Sequence, residues 1–379
     1  MSFVAAEQFR LHENHQSLSW QSMREQSEIA DYQLVLRMDK LNASTMVQSL
    51  LVAIMRAQAL DKPLLLARGA INTVPELPQQ FCLGIQTSGT TGKPKWQLYQ
   101  LEHLLPKHSG KEYDSRWLLC FSPFTFAGLQ VILHCAVNGE SLVVDETAPL
   151  HKKVELCRQH GVNTLSCTPS FLRAFMLAGA QELDSLVNIT LGGEAAEQAI
   201  LDDAKRCWPQ AKIRHIYATT ESGVVFTVKD GIAGFPQEWL EQNVNAWQLS
   251  ISEHKTLVLV SEQRRIDTGD MISIIGTRCY FAGRIDNLVN VGGVKVNPEQ
   301  VEAEIKCLDC VLDARVFAKA NAITGFILGA EICSSNQSNT EIALAKWCQQ
   351  QIPARQPRII QWVEQISLAQ SQKKQRIQL

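Results

Sequence analysis

Short apolar segments alternate with helix-like segments between Phe81 and Tyr217, and this alternation constrains the fold more than any other feature of the sequence. Repeated alternation of this kind is typical of a mostly parallel sheet covered by helices. Ligands of such sheets lie at the carboxyl ends of the strands. The predicted strands are Phe81–Ile85, Trp117–Phe121, Ser141–Val144, Thr164–Cys167, Ile189–Leu191 and Ile213–Tyr217. The predicted helices are Gln130–Val137, Lys152–His160, Ser170–Ala178 and Ala195–Cys207.

The rest of the chain predicts an N-terminal part and two smaller units. Residues 1–80 contain a strand at Gln33–Leu36 and a helix at Ser44–Ala57. Short β segments between Gly231 and Ala282 indicate a small β subdomain: Thr256–Val260, Met271–Ile275 and Cys279–Phe281. A compact α+β unit follows, with helices at Pro298–Lys306 and Thr340–Gln351 and strands at Val311–Ala318, Phe326–Ile332 and Arg358–Val363. We therefore predict an α/β protein with a large N-terminal domain, residues 1–285, and a small α+β C-terminal domain, residues 286–379.

Length and composition exclude several classes of protein. A chain of 379 residues that is 45% hydrophobic can bury large cores and favours two or three domains. The net charge of −2 is spread without long runs of one sign, so we expect neither nucleic acid nor a membrane surface as a partner. No apolar signal core or membrane-spanning stretch is present, and we expect a cytoplasmic protein. The eleven scattered cysteines lack paired metal spacing and are expected to be reduced thiols.

The stretch Thr87-Ser-Gly-Thr-Thr-Gly-Lys-Pro-Lys95 has the composition of a phosphate-handling loop. It combines two glycines, four hydroxyl side chains and two lysines in nine residues, directly after an apolar strand. Glycines bring backbone N–H groups close to an anion, hydroxyls donate hydrogen bonds, and lysines supply charge. It is not a Walker A loop, because Pro94 stands where that motif requires Ser or Thr. The alternative is an ordinary polar surface loop.

This loop resembles the signature of the adenylate-forming (acyl-activating) superfamily, Ser/Thr-Ser-Gly-Ser/Thr-Thr-Gly-x-Pro-Lys-Gly, with Trp96 in place of the last glycine. The superfamily includes acyl- and aryl-CoA ligases, peptide-synthetase adenylation domains and luciferases. The resemblance implies a nucleotide-binding role for Thr87, Ser88, Gly89, Thr90, Thr91, Gly92, Lys93 and Lys95. In the family the part before this loop is longer, so the N-terminal subdomain is expected to be shortened.

Two further motifs follow predicted strands in the order that the family shows. Leu191-Gly-Gly-Glu-Ala195 resembles the segment that borders the adenine, which implies roles for Gly192, Gly193 and Glu194. Tyr217-Ala-Thr-Thr-Glu221 resembles Tyr-Gly-x-Thr-Glu, with Ala218 in place of glycine. By position, Tyr217 would stack on the purine, Thr220 would lie near the α-phosphate, and Glu221 would hold Mg²⁺. The alternative for the second motif is a polar turn with a surface carboxylate.

The resemblance continues into the crossover between the predicted domains. Ile266-Asp-Thr-Gly-Asp270 resembles Tyr-Arg-Thr-Gly-Asp, whose aspartate accepts both ribose hydroxyls. Gly283-Arg-Ile-Asp286 implies that Arg284 reaches the ribose or a phosphate and that Asp286 is the hinge of a mobile C-terminal lid domain. The chain ends Ser371-Gln-Lys-Lys-Gln-Arg-Ile-Gln-Leu379, against a family terminus of Ser-Gly-Lys-x-x-Arg-x-x-Leu. This alignment makes Lys373 the catalytic lysine, with Lys374 and a merely solvated basic tail as the alternatives.

The acyl pocket is expected at Ser122-Pro-Phe-Thr-Phe-Ala-Gly128, with Phe124, Phe126 and Gly128 as its residues. In the family, CoA ligases show an aromatic residue or a histidine here, and amino-acid-activating domains carry an aspartate for the substrate ammonium. No acidic residue lies between Phe121 and Gln130. A buried ammonium would lack a counter-ion, which costs several kcal/mol. We therefore expect an acyl or aryl acid without an α-amino group; Phe126 alternatively is a core residue.

Taken together, the resemblance implies an AMP-forming acid–thiol ligase that uses ATP and Mg²⁺, with Thr220, Glu221 and Lys373 as catalytic residues. Coenzyme A is the expected acceptor, because the sequence around Lys295 resembles that of acyl- and aryl-CoA ligases, such as the o-succinylbenzoate type, more than that of peptide-synthetase domains. A stand-alone ligase that loads a phosphopantetheinyl carrier protein is one alternative. A nucleotide-binding homologue with impaired catalysis is another, suggested by Trp96, Ala218 and Gln372.

Overall fold

The structure is a computed structural model that describes residues 7–14, 16–71, 73–88, 94–105, 114–262, 264–367 and 377–378. Within these ranges the chain forms four sheets, with helices packed against three of them. No described helix is long and apolar enough to cross a membrane.

The strands have the following bounds: β1 Arg10–Glu13, β2 Gln16–Ser19, β3 Val35–Arg37, β4 Leu64–Ala67, β5 Leu83–Ser88, β6 Pro94–Tyr99, β7 Arg116–Leu119, β8 Ser141–Val144, β9 Thr164–Cys167, β10 Asn188–Leu191, β11 Lys212–Thr219, β12 Gly223–Val228, β13 Phe235–Pro236, β14 Asn243–Val244, β15 Trp247–Ile251, β16 Thr256–Val260, β17 Arg265–Ile275, β18 Arg278–Arg284, β19 Val289–Val291, β20 Val294–Val296, β21 Val311–Asn321, β22 Gly325–Ser334, β23 Ile359–Trp362 and β24 Ile377–Gln378.

The helices have the following bounds: α1 Trp20–Ile29, α2 Met46–Ala59, α3 Leu101–Leu104, α4 Phe126–Asn138, α5 Leu150–His160, α6 Pro169–Leu177, α7 Gln198–Cys207, α8 Pro298–Lys306 and α9 Gln337–Gln349. Several begin at side-chain caps that the sequence provides. The hydroxyl of Thr125 accepts from the Gly128 N–H at the start of α4, and that of Thr168 accepts from the Phe171 N–H at the start of α6. Such caps satisfy N–H groups that the first helical turn leaves unpaired.

The large sheet has the order β12–β11–β10–β9–β7–β8–β1–β2. Neighbouring strands from β11 to β1 are parallel, and the edge strands β12 and β2 are antiparallel to their neighbours. On one face, Leu118, Leu165 and Ile189 pack against α5, α6 and α7. On the other face, Trp117 and Leu119 pack against α4. The predicted mostly parallel, helix-covered sheet is confirmed.

A second sheet, with the order β3–β4–β5–β6, contains the strands on either side of residues 89–93. Its apolar residues share a core cluster with α2 and α4. Strands β5 and β6 are antiparallel, with Ser88 paired to Pro94. Residues 89–93 therefore connect two adjacent strands of this sheet.

The third sheet, with the order β13–β18–β17–β16–β15–β14, is the predicted small β subdomain. Three predicted strands were too few; Thr256–Val260 matches β16, whereas the bounds predicted within β17 and β18 were too narrow. Strand β17 extends from Arg265 to Ile275 and includes the Asp270 motif. Its pairing with β18 shifts register between Asp270 and Ile272, which is how a β-bulge re-aims a side chain without ending the strand.

The C-terminal part, from Val289 onward, forms a sheet with the order β20–β19–β22–β21–β24, and β23 pairs with β22. Strands β21 and β22 form the long central hairpin of this sheet. Residues of α8 and α9 pack on this sheet in a core cluster of their own, which includes Val301, Ile305, Leu344 and Trp347. The fold is therefore a mixed α/β architecture with a large N-terminal and a small C-terminal part.

Candidate active site

A cleft of about 1620 Å³ lies at the carboxyl ends of β10 and β11 and is bordered on its other side by α8 and β18. Many predicted site residues line this cleft, although they come from stretches that are distant in sequence. They are Lys95, Phe126, Gly192, Gly193, Glu194, Tyr217, Thr220, Glu221, Asp270, Arg284 and Asp286. The fold thus places seven of the fourteen predicted nucleotide-binding residues around one cavity.

Several predicted residues fall outside this description. Gly89, Thr90, Thr91, Gly92, Lys93 and Lys373 lie outside the described residues, and for Thr87 and Ser88 only the backbone, at the end of β5, is described. The flanking positions Gln86 and Lys95 both line the cleft. The residues on either side of this loop therefore lie at the cavity.

Two of the three residues predicted for the acyl pocket are placed elsewhere. Phe124 is fully buried in the core beneath α4 and does not line the cleft. Gly128 also lies outside the lining, and a Cβ atom at this position would stand 2.0 Å from the carbonyl oxygen of Ser122. Gly128 therefore serves the close approach of α4 to the preceding turn. Only Phe126 lines the cleft, where its ring packs against Tyr99.

Tyr217, Asp270 and Arg284 form a bonded group on the cleft wall. The Tyr217 hydroxyl donates to Asp270 Oδ2 at 2.5 Å, and Arg284 Nη1 contacts Asp270 Oδ1 at 3.1 Å. Burial and the negative charge of Asp270 raise the pKa of Tyr217. The tyrosine ring lies nearly parallel to Phe226 and Phe281, with centroids 5.2 and 4.9 Å away. The wall is thus aromatic, with a carboxylate at its edge whose remaining lone pairs can accept further hydrogen bonds.

The turn that carries Thr220 and Glu221 is tied to the strand that follows the phosphate-handling loop. The Tyr99 hydroxyl donates to the carbonyl oxygen of Thr220 at 2.7 Å. Burial and the nearby charge of Glu221 raise the pKa of Tyr99, so its hydroxyl stays a donor at neutral pH. Tyr99 therefore couples the position of this turn to β6. No motif in the sequence marks Tyr99, and its role was missed.

The Gly192–Gly193 segment presents bare backbone to the cleft. Gly193 has φ +81°, and a Cβ atom at Gly192 would stand 2.8 Å from the Ile216 side chain. The following residue, Glu194, turns its carboxylate toward the start of α6, where Oε2 accepts from the Ser170 N–H at 3.1 Å. In the structure Glu194 thus fixes the turn through α6, whereas the sequence placed it on the nucleotide.

The crossover into the C-terminal part is held by polar contacts between β18 and α8. Asn297 Nδ2 donates to the Ala282 carbonyl at 3.0 Å, and Asn287 Nδ2 donates to Glu299 at 2.7 Å. Gly283, at φ +86°, is required here because a Cβ atom would stand 2.3 Å from Asn297 Nδ2. Asp286 lies in this crossover and accepts from Arg284 at 3.3 Å.

Five charged side chains, which we call the docking cluster, join the large and small parts beside the cleft: Arg173, Glu197, Glu302, Lys306 and Asp313. Lys306 Nζ lies 2.7 Å from Glu197 and 3.1 Å from Glu302, and Arg173 bridges Glu197 to Asp313 at 3.2 and 3.7 Å. Burial opposes the charge of Lys306, but Glu302 and Glu197 outweigh it and raise its pKa. The spacing of Glu302 and Lys306 on α8 was the available sequence signal.

A cation of the cleft wall that the sequence analysis missed is Arg68, after β4. Its Nη2 donates to the Gln86 carbonyl at 3.1 Å, and the Gln86 side chain accepts from the Arg68 N–H. Burial lowers the pKa of Arg68. A half-buried guanidinium on the wall is suited to attract an anion into the cleft.

The donor set of the cleft fits a magnesium–nucleotide complex. Across the parts of the chain described above, no group of three or more histidine, cysteine or acidic side chains could form a metal cage. Mg²⁺ does not require one, because it is commonly bound through one or two carboxylates, substrate phosphates and water. Glu221 is an exposed carboxylate on the cleft wall, which is the kind of protein ligand that such a site would use.

Residues 10–248, more than half of the chain, match the family described as AMP-binding enzyme. The 2-succinylbenzoate–CoA ligase of Salmonella typhimurium is 24% identical over 318 residues, which cover 76% of this chain and 65% of that ligase. The D-alanine–D-alanyl carrier protein ligase of Staphylococcus epidermidis is 23% identical over 335 residues, which cover 75% and 67%. A match to a plipastatin synthase of Bacillus subtilis, 24% identical, covers 68% of this chain and 9% of that synthase. The chain therefore spans less than two thirds of the length of the 2-succinylbenzoate–CoA ligase and of the plipastatin synthase.

Solved structures share the fold over nearly the whole chain. The o-succinylbenzoate CoA synthetase (MenE) from Bacillus subtilis, in complex with the acyl-adenylate intermediate OSB-AMP, matches with a TM-score of 0.65 and 15% identity, covering 98% of this chain and 94% of that one. The anthranilate CoA ligase AuaEII in complex with anthranoyl-AMP matches with a TM-score of 0.69 and 14% identity, covering 97% and 92%.

Proposed function

This chain belongs to the AMP-binding enzyme family, and on that premise we propose that it activates a carboxylic acid with ATP and transfers the acyl group to a thiol. In the first step a carboxylate oxygen bonds to the α-phosphorus and pyrophosphate leaves. In the second step the thiolate attacks the acyl carbon and AMP leaves. The observation that carries the proposal is the convergence of Tyr217, Thr220, Glu221, Asp270 and Arg284 on one cleft.

Each of these residues has a role that its contacts support. Asp270 accepts the ribose hydroxyls; its place in the cleft lining, with its carboxylate held by Tyr217 and Arg284, supports this role. The aromatic wall around Tyr217 takes the purine, and the bare backbone of Gly192 and Gly193 borders it. The loop at 87–95 and Arg284 hold the phosphates.

The energetic difficulty of the first step is the encounter of two anions. Thr220 donates a hydrogen bond near the α-phosphate, and Lys373 brings an ammonium to the reacting carboxylate. Mg²⁺, held by Glu221, would supply neutralisation of the triphosphate charge. Because these groups act on charge that develops during reaction, they raise the rate of adenylation more than the affinity for ATP.

The acid is proposed to lack an α-amino group. The residues between Phe121 and Gln130 that line the cleft are Phe121, Thr125, Phe126, Ala127 and Gln130, none of them acidic. Phe126 and the nearby Val131 and Ile216 provide an apolar wall for an aryl or acyl body. An ammonium group in this position would be buried without a counter-ion.

Coenzyme A is the proposed acceptor, and a phosphopantetheinyl carrier protein is the second candidate. The first is supported by the similarity to 2-succinylbenzoate–CoA ligase, and the second by the similarity to a D-alanyl carrier protein ligase. Residues 286–379 are proposed to move as a lid about Asp286 between the two steps. The cytoplasm, which holds ATP and reduced thiols, is the proposed location.

The experiment that tests this proposal is carboxylate-dependent exchange of labelled pyrophosphate into ATP, run across aromatic, aliphatic and amino acids. We expect exchange that requires Mg²⁺ and is fastest with an acid that has no α-amino group. Best activity with a free amino acid would overturn the substrate class. Absence of exchange with every acid, together with intact ATP binding, would favour a nucleotide-binding homologue that lacks catalysis. Addition of CoA or a carrier protein then identifies the acceptor.

A further inference from the structure

Tyr99, on β6, connects two parts of the cleft although it does not line the cleft itself. Its hydroxyl donates to the carbonyl oxygen of Thr220 at 2.7 Å. Its ring centroid lies 5.4 Å from that of Phe126, with an angle of 32° between the ring planes. Thr220 and Phe126 both line the cleft, the first on the side proposed for the phosphates and the second on the side proposed for the acid. One side chain therefore contacts both places.

The position of Tyr99 is set by the second sheet. Strand pairing places it opposite Leu83, which is fully buried in β5. The Tyr99 ring packs against the core cluster that this sheet shares with α4. Burial and the nearby charge of Glu221 raise the pKa of Tyr99, so the hydroxyl remains a hydrogen-bond donor throughout the neutral pH range. The bond to Thr220 thus starts from a well-supported side chain.

The turn that receives this bond is closed by its own side chains. Thr219 Oγ1 accepts from the Ser222 N–H at 3.1 Å and lies 2.9 Å from the Ser222 hydroxyl. These contacts enclose Thr220 and Glu221 between β11 and β12. The bond from Tyr99 comes from a different sheet and spans 121 residues of sequence. A change in the position of Tyr99 therefore displaces Thr220 and Glu221 together.

These contacts allow an acid in the cleft to act on the turn at a distance. An acyl body packed on Phe126 restricts the motion of that ring and, through it, the motion of the Tyr99 ring. The turn is then ordered before the nucleotide arrives, so nucleotide binding costs less conformational entropy. Such coupling is reciprocal, because the factor by which one ligand changes the affinity of the other is the same in both directions.

We propose that Tyr99 is a positioning residue that couples the two substrate sites, so that a carboxylic acid and Mg·ATP each tighten the binding of the other. This inference rests on the proposed function, which assigns Phe126 to the acid and the turn of Thr220 and Glu221 to the metal–nucleotide complex. The ring of Tyr99 forms the contact on the acid side, and its hydroxyl forms the contact on the nucleotide side.

Calorimetry measures this coupling with magnesium and α,β-methylene-ATP, whose bridging carbon prevents the release of pyrophosphate. The dissociation constant of this analogue is determined alone and in the presence of benzoate, hexanoate or octanoate at several concentrations. We expect at least one of these acids to tighten binding of the analogue about 5- to 50-fold in the wild-type protein, which is a common size for coupled sites. If none of the acids changes the affinity, the inference is wrong.

Two tyrosine variants assign the coupling to Tyr99. Tyr99→Phe should bring the ratio of the two dissociation constants close to one, because the ring stays against Phe126 while the bond to Thr220 is lost. Tyr32→Phe is the matched control, since the Tyr32 hydroxyl also donates to a backbone carbonyl, that of Pro63, at 2.7 Å, and Tyr32 does not line the cleft. This control should keep the wild-type ratio. Each variant loses one hydrogen bond of the same kind, so a general loss of stability would affect both.

Pyrophosphate exchange with the same acids separates this inference from the proposed function. Exchange in the wild-type protein without coupling between the acid and the analogue would contradict the role of Tyr99 and leave the ligase proposal standing. Coupling that Tyr99→Phe removes, in a protein without any exchange, would support the inference and contradict the ligase. Coupling that survives in Tyr99→Phe, or that is lost equally in Tyr32→Phe, would overturn the inference.

Discussion

Asp270, the proposed acceptor of the ribose hydroxyls, is held in place by two neighbouring side chains. Its two oxygens are held by Tyr217 and Arg284 at 2.5 and 3.1 Å, so the carboxylate has a fixed orientation before a nucleotide arrives. Positioning of this kind lowers the entropic cost of binding a ligand. The sequence predicted the roles of Asp270 and Tyr217 from motifs, but the hydrogen bond between them depends on a contact across 53 residues.

Glu221 is predicted to act on metal-bound ATP. Glu221→Gln keeps the shape of the side chain and removes the charge that Mg²⁺ requires. We expect weaker Mg·ATP binding and slower exchange, with little change in AMP binding, measured by calorimetric titration. Glu253→Gln, at an exposed position away from the cleft lining, is the control. Identical Mg·ATP affinity and activity in the Glu221 variant would reject the role.

Glu140 is predicted to make stability depend on pH. Burial raises its pKa from 4.5 to about 7, so the folded protein binds a proton that the unfolded chain has released. The contribution of this carboxyl is therefore fully present below about pH 4.5 and is lost as the pH rises through about 7. The unfolding free energy of Glu140→Gln, relative to that of wild type, should therefore rise by about 2–3 kcal/mol as the pH increases from 5 to 8.

Denaturant unfolding of both proteins at each pH measures this difference. Because His134 lies 3.4 Å from Glu140 and also titrates, His134→Gln is compared in parallel. A Glu140→Gln difference that stays constant from pH 5 to 8 would show that this carboxyl titrates normally.

The predicted and observed bounds of helices and strands agree best where the local sequence pattern is strong. Thr164–Cys167 and Pro298–Lys306 match their predicted bounds, since the first is a short run before a helix cap and the second begins at Asn297-Pro298. Strand β1 was not predicted, because Arg10-Leu-His-Glu13 is mostly polar and is fixed by pairing with β8, far along the chain. Non-local pairing of this kind leaves little trace in a single sequence.

The sequence assigned Phe124 to the acyl pocket, whereas the structure has it in the core, and this difference has a similar cause. A motif gives the position of a residue along the chain, but the direction of a side chain at a turn depends on the packing around it. Thr125 caps α4, so Phe126 starts the helix at the cleft while Phe124 turns into the core.

The docking cluster is predicted to hold α8 against the large part. Lys306→Met leaves the buried carboxylate of Glu302 without its cation, and breaking a buried pair from one side costs about 3–5 kcal/mol. We expect faster amide exchange and proteolysis at the crossover, residues 285–297. Arg355→Met breaks the ion pair between Arg355 and Glu304 within the small part and is the matched control. Equal crossover exchange in both variants would contradict the docking role.

For the whole molecule, we predict that the small C-terminal part delivers Lys373 to the cleft during adenylation. This residue lies outside the described part of the chain, so its assignment rests on the order of residues in the tail. An ammonium that acts mainly in the transition state changes rate more than affinity. Lys373→Ala should slow adenylation about 10²- to 10³-fold, and Lys374→Ala should slow it far less.

Single-turnover kinetics from ATP, and separately from a supplied acyl-adenylate, measure the two steps. Thioester formation from the adenylate should survive Lys373→Ala, because no encounter of two anions remains. If Lys374→Ala is the damaging change, the alignment of the tail is wrong by one residue.

The central claim, that the acid is activated as an acyl-adenylate, is tested most directly by following oxygen. The acid is supplied with both carboxylate oxygens labelled with heavy oxygen, together with ATP, magnesium and the thiol acceptor, and the products are analysed by mass spectrometry. Attack of the carboxylate on the α-phosphorus transfers one labelled oxygen, so we predict AMP that carries one label and a thioester that keeps the other. Unlabelled AMP, or formation of ADP and phosphate in place of AMP and pyrophosphate, would contradict activation as an acyl-adenylate.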